Sequence, residues 1–344
     1  LSNKGWAHRW TSLQEPWKPT RVRQGSQYSG KPLDMLQTER ERLMQVWGSS
    51  PDGQKWFEGP EGCHRDLPPL HVEAASRVAR SFPRRTAQTW DGFHPRHYAM
   101  LEADQLHIFL ELLRFMEAVG IMPTVLQSIL AKLIPKHKRE VVEQVSMRSI
   151  GLLPSMYRFW ARLRQPVAKT WESEHCTPLL GHQSGRSIME VVFMQSLQAE
   201  SGQSQKGDKL HYGAFLWDLS NYYEHIDRVK LWDRAETTNF PAAVVAIALN
   251  QYSSRRYVGL ETLVLDAQYP AKGIAAGCSF ATFWCQVYSI EPLQVWAVQH
   301  PRVGASMFID DLLGAATARH PHQVVGRLAA GAAALRVAIS DDLA

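Results

Sequence analysis

The sequence predicts an α+β chain, and three observations carry that expectation. Apolar residues recur at helical spacing over several stretches, most clearly Leu106, Phe109, Leu110 and Leu113, with Met116 continuing the stripe. Short apolar runs lie between such stretches and end on carboxylates. Ala214-Phe215-Leu216-Trp217 stops at Asp218, and Met307-Phe308-Ile309 stops at Asp310-Asp311. Hydrophobic residues make up 45% of the 344 and charged residues 21%, enough for a real core and, by size, two or three lobes.

The elements follow in order. Residues 1–32 hold Trp6, Trp10, Trp17, Arg21 and Arg23 without helical or strand period, and read as an irregular basic arm. Leu36, Leu43, Met44 and Trp47 make 33–47 helical. Gly, Pro and charges make 48–69 a loop. Arg77, Arg80, Arg84 and Arg85 are either a solvated face or a nucleic-acid contact. A helix is expected from Asp104, as N-cap, to Gly120, with Pro123 beyond. An apolar run over 125–134 enters Pro135-Lys136. Helices follow at 155–163 and 186–199, then a polar linker at 202–208 and a strand at 214–217. The remainder reads as a helix at 241–252, strands within 257–265, and an aromatic-rich helix at 280–298 interrupted near Pro292. Two strands at 306–315 meet at the carboxylate pair, and an Ala-rich helix covers 324–337. No internal repeat is visible.

Several classes are disfavoured. The longest uncharged apolar run, 242–249, is far short of a membrane span. No apolar leader follows Lys4 and Arg9, so the expected location is intracellular, the nucleus included. Four cysteines lack CxxC spacing. The adjacent pairs Cys63-His64 and His175-Cys176 do not close a tetrahedral zinc site. A net charge of +5 fits an anionic partner such as nucleic acid. The chain starts at Leu1 and stops abruptly at Ala344, which suggests a piece of a longer product.

Asp310-Asp311 inside an apolar run needs a reason, because burying ionised groups costs several kcal/mol unless something pairs with them. A turn between strands would expose the pair. It is then either a plain hairpin turn or a cation site. Asp218 could join it from a neighbouring strand, or could instead N-cap a helix beginning at Leu219. Carboxylates at adjacent strand ends can share two divalent ions ~4 Å apart that serve phosphoryl transfer.

At this point the order of segments resembles the reverse transcriptases, most closely those of non-LTR retroelements and group II introns. Asp91-Gly92-Phe93-His94 is similar to the "GxDG" entry of the fingers, and Leu133-Ile134-Pro135-Lys136 to the "LIPK" strand. Arg148-Ser149-Ile150-Gly151-Leu152-Leu153 with Tyr157-Arg158 resembles "RPISLL…YK". Gln183-Ser184-Gly185-Arg186-Ser187 followed by Glu190 resembles "QxGFRxGRSxxD". Asp218 to Tyr223 looks like motif A, Lys272 to Ser279 like motif B, and Phe308-Ile309-Asp310-Asp311 like the "[YF]xDD" of motif C.

The resemblance implies a right-hand polymerase: a basic N-terminal extension at 1–85, fingers at 86–210 and a palm at 211–344. The palm would be a small antiparallel sheet backed by helices, with too few residues after Asp311 for a thumb. It implies RNA-directed DNA synthesis by a catalytic set of Asp218, Asp310 and Asp311. Leu219 joins those three in holding two Mg²⁺ ions, with Mn²⁺ able to substitute. Lys136, Arg148, Tyr223 and Gly277 would bind the nucleotide, and Phe308, Lys272 and Arg186 the primer–template. The partners would be an RNA template, a DNA primer and deoxynucleoside triphosphates. Tyr223 would exclude a ribose 2′-hydroxyl.

The chain also departs from the family pattern. Ala276 stands where Gln is usual and Ser279 where Pro is. Asn221 replaces Lys, Glu224 replaces Asp, and Ser149 replaces the Pro of "RPI". Two alternatives stay open: a catalytically degenerate, polymerase-derived nucleic-acid-binding protein, and an RNA-dependent RNA polymerase.

Overall fold

A computed structural model describes residues 32–50, 54–135, 147–175, 177–181, 183, 187–203, 210–260 and 262–343. Lys136 and Arg186 lie outside them. The architecture is α+β. The helices are α1 (Pro32–Trp47), α2 (Val72–Ser81), α3 (Ala103–Val119), α4 (Ser155–Glu174), α5 (Ile188–Gln203), α6 (Tyr222–His225), α7 (Arg228–Thr237), α8 (Ala242–Ser253), α9 (Ala281–Gln299) and α10 (Pro321–Leu343). The strands are β1 (Ser128–Pro135), β2 (Met147–Leu152), β3 (His211–Asp218), β4 (Arg255–Leu260), β5 (Leu263–Val264), β6 (Gly304–Phe308) and β7 (Asp311–Ala318).

Two sheets form. One has the order β2-β1-β4-β5, with β1 antiparallel to β2 and parallel to β4. The other, β3-β7-β6, is antiparallel throughout. The parallel pair joins a strand from 86–210 to one from 211–344. Leu36, Leu43 and Trp47 of α1 bury against Ala131, Leu133, Met147, Val258 and Leu260 of the same sheet. The three segments expected from the sequence are therefore interleaved. The described part of 1–85 is built into the core rather than appended to it.

The centre of the molecule is α8, whose Ala243 to Ser253 are all buried, as expected of a helix apolar on every side. Its Asn250 holds two loops in place. The Asn250 amide donates to Phe57 O (2.8 Å) and Gly120 O (2.9 Å), while Oδ1 accepts from Phe57 N. In α3, Leu106, Leu110, Leu113 and Met116 face inward and Gly120 closes the helix at φ 78°. The N-cap is Glu102, in a reciprocal pair with Gln105, so Asp104 lies inside the first turn.

Helix α9 runs through Pro292 without interruption. Proline removes the N–H that would satisfy the Tyr288 carbonyl. The Arg234 guanidinium donates to that carbonyl instead and covers the Tyr288 ring at 4.6 Å. Helix α5 extends to Gln203, so the expected linker begins later than the sequence suggested. Helix α10 backs the three-stranded sheet. A Cβ on Gly213 of β3 would stand 2.8 Å from Val324, so the strand needs glycine there for close approach. Among the described residues no helix is long and apolar enough to cross a membrane.

Candidate functional site

Antiparallel pairing puts Asp218, the last residue of β3, directly opposite Asp311, the first of β7. Asp218 thus ends a strand and does not cap a helix; the next helix begins at Tyr222, after Asn221 at φ 53°. The β6–β7 hairpin turns through Ile309 and Asp310, with Phe308 paired to Asp311. Ile309 takes φ 59°. A β-branched residue in that region costs ~1–3 kcal/mol and persists only where the surroundings enforce it. Here the Asp310 carbonyl accepts the Leu219 N–H at 2.8 Å, which ties the hairpin tip to the end of β3.

Phe308, Asp311 and Asp218 share one sheet face by register. Phe215 lies on the other face, over Gly314, where a Cβ would come within 2.2 Å of its ring. The sequence cue there is the single glycine in an otherwise apolar strand.

Electrostatics gather the same residues. Burial pushes the Asp310 carboxyl above its ordinary value. Asp311 and Asp218 push the same way, while its own backbone hydrogen bond and Arg148 pull down. Folding therefore tightens its proton. The stability that this supplies is complete below the titration range of the unfolded chain and is lost as pH rises through the raised native value. At neutral pH the Asp310 carboxyl therefore works against the fold. Asp310→Asn is thus expected to raise the melting temperature in EDTA, and added Mg²⁺ to raise that of the wild type but not of the variant. An equal or lower melting temperature for the variant in EDTA contradicts this repulsion.

Tyr223 sits beside this cluster. Burial, Cys285 and the Asp310 charge all raise its hydroxyl, so it stays a neutral phenol. Its carbonyl accepts the Ile274 N–H (2.8 Å), and Gly273 N donates to Ile226 O (2.8 Å), so the 272–279 loop is laced to α6. At φ 91°, a Cβ on Gly273 would meet the Glu224 carbonyl at 2.8 Å. The other end of the loop docks on β2: Gly151 N donates to Ala276 O at 2.7 Å. Gly277, at φ 103°, packs by Ile150 and Gly151. The structure therefore gathers Asp218, Leu219, Asp310, Asp311, Tyr223 and Arg148, with Gly277 and Phe308 alongside. The backbone N–H of Lys272 donates to Trp47 O of α1 at 3.0 Å, which ties the start of the loop to that helix.

Behind the site lies a polar network that sequence reasoning missed. Glu224 accepts from Trp47 Nε1 and from Ser149 Oγ (2.5 Å), and pairs with Arg256 at 3.5 Å. Arg256 covers the Trp47 ring at 4.5 Å. Arg228 donates to Gly273 O and Pro270 O. Two of the departures noted above, Ser149 and Glu224, thus bond to each other. The available signal was a charged residue inside the strand Arg256-Tyr257-Val258-Gly259-Leu260.

Among the described residues no three His, Cys, Asp or Glu side chains already stand in a metal cage. The donor set nevertheless fits a hard dication in kind. It offers oxygen ligands only, and the pressure on Asp310 from two acids is opposed by Arg148. No family model and no curated protein matches the chain.

Proposed function

We propose that the chain is the polymerase part of a retroelement reverse transcriptase, adding deoxynucleotides to a primer 3′ end on an RNA template. One observation carries this reading: Asp218 and Asp311 stand opposite each other at adjacent strand ends, and Asp310, in the turn next to them, feels both charges together with Arg148 and lies beside Tyr223. Mg²⁺, when bound, supplies charge neutralisation and acidifies the primer hydroxyl. Asp218, Asp310 and Asp311 would hold it, with the backbone at Leu219 fixing the hairpin against β3. Arg148 offers a bidentate fork to the triphosphate. The Tyr223 ring closes the space a 2′-hydroxyl would need. Gly277, at φ 103°, leaves no side chain between the loop and Gly151 and Ile150 of β2, so the loop lies close on the strand that carries Arg148.

Ala276 favours a second reading, a nucleic-acid binder without synthesis. It lacks the amide usual at that place, and its carbonyl is spent on Gly151. Oligo(dT) on poly(rA), with dTTP and Mg²⁺, separates the two. A ladder of extended products is expected. Stable binding of the primer–template with no extension in either Mg²⁺ or Mn²⁺ supports the second reading and overturns the first.

A further inference from the structure

A second surface, away from the carboxylates, has its own chemistry. Arg77, Arg80, Arg84 and Arg85 are all exposed, and none meets a carboxylate among the described residues. Three further arginines lie beneath them. Arg96 donates to Arg80 O (2.6 Å) and Phe82 O (2.8 Å), and Arg158 donates to Ala87 O (2.7 Å). Arg162 covers the Phe82 ring at 4.1 Å and donates to Ser81 Oγ. Every one of these acceptors is neutral, so these hydrogen bonds offset none of the positive charge, and Asp91 acts on Arg158 alone of the three. Burial lowers the Arg158 guanidinium, and Arg162 adds to that, although Asp91 opposes it.

Asp91 is the one acid between residues 74 and 101. Both its oxygens are engaged, with Thr89 Oγ1 and Phe93 N on one, and Ser155 N and Oγ on the other. Those bonds fix the Thr89–Phe93 turn on the start of α4. The turn presents two large rings to solvent, Trp90 at 44% exposure and Phe93 at 55%. Exposed rings beside unpaired guanidiniums need a partner with both flat apolar faces and regular negative charge.

We propose that this surface binds single-stranded nucleic acid, with Trp90 and Phe93 stacking on bases and Arg77, Arg80, Arg84 and Arg85 holding phosphates. A duplex keeps its base faces stacked and would use only the arginines. An acidic protein would not need flat ring faces, and an anionic lipid surface would bury the rings without stacking on them, so vesicles are the comparison that separates it from nucleic acid. The surface joins β2 at its Leu152 end, on the order of 13 Å along the strand from Arg148. It does not depend on the catalytic reading.

The test uses the full chain and a fluorescein-labelled 15-nucleotide oligouridylate, with a duplex of equal length for comparison. Trp90→Ala/Phe93→Ala is expected to weaken single-strand binding at least tenfold and to leave duplex binding nearly unchanged. Arg84→Glu/Arg85→Glu is expected to weaken both and to flatten the salt dependence by about two phosphate contacts. Photocrosslinking of a 4-thiouridine oligonucleotide to the unmodified chain needs no variant, and crosslinks are expected within residues 84–93. Unchanged affinity in the aromatic variant, crosslinks confined to other segments, or equal loss of binding to phosphatidylserine vesicles each overturns the proposal. Crosslinks at 84–93 in a chain that extends no primer would sink the polymerase reading and leave this one standing.

Discussion

Glu224→Ala is expected to destabilise the protein by about 3–5 kcal/mol, read as a fall in the urea midpoint. The carboxylate is the shared acceptor of Trp47, Ser149 and Arg256, from helix α1 and two strands of one sheet. Removing it strands a guanidinium that is only 2% exposed. Arg256 keeps Tyr252 O and Gly273 O, at 3.4 Å each, but no opposite charge. The Ser149–Glu224 bond is expected to contribute a coupling of about 0.5–3 kcal/mol in a cycle of Ser149→Ala and Glu224→Gln. Additive single effects would mean the two departures do not support each other. Glu224→Asp alone shortens the side chain by one methylene and is expected to lose Ser149 first.

Tyr223→Ala is expected to raise acceptance of ribonucleotides roughly 10–100-fold relative to deoxynucleotides. The ring is half-buried beside Asp310 and Cys285, and its backbone is held by Ile274. Truncation therefore opens space at the nucleotide without moving the carboxylates. Tyr223→Phe is expected to keep the discrimination, because the ring and not the hydroxyl excludes the sugar oxygen. Unchanged sugar preference in the alanine variant would favour an RNA polymerase or a ring that serves only packing.

Much of the fold was legible because local patterns decide it. The α3 stripe, the glycine after it, and the apolar runs ending on Asp218 and Asp310 each name their element without help from distant residues. Those runs left open whether Asp218 joined the pair or capped a helix; the antiparallel register of β3 on β7, which sets Asp218 opposite Asp311, decides it.

What was not legible depends on long-range partners. Pro292 reads as a break until Arg234, far away in sequence, satisfies the carbonyl it leaves open. Asp104 reads as a cap until Glu102 and Gln105 take that role two residues earlier. Trp47, Glu224 and Arg256 look unrelated in sequence, and only the packing of α1 on the β1–β4 pair joins them. The parallel pairing of β1 with β4 likewise has no local signature, because the strands are separated by several helices.

The central claim is that Asp218, Asp310 and Asp311 form the metal-dependent centre of nucleotide addition. Its most direct test is the rate of single dTTP addition to oligo(dT) on poly(rA), measured over a Mg²⁺ titration for the wild type and for Asp310→Asn. A Mg²⁺-dependent rate is expected in the wild type and a fall of at least about 10³-fold in the variant, with primer–template affinity preserved. Equal incorporation by both proteins would contradict it.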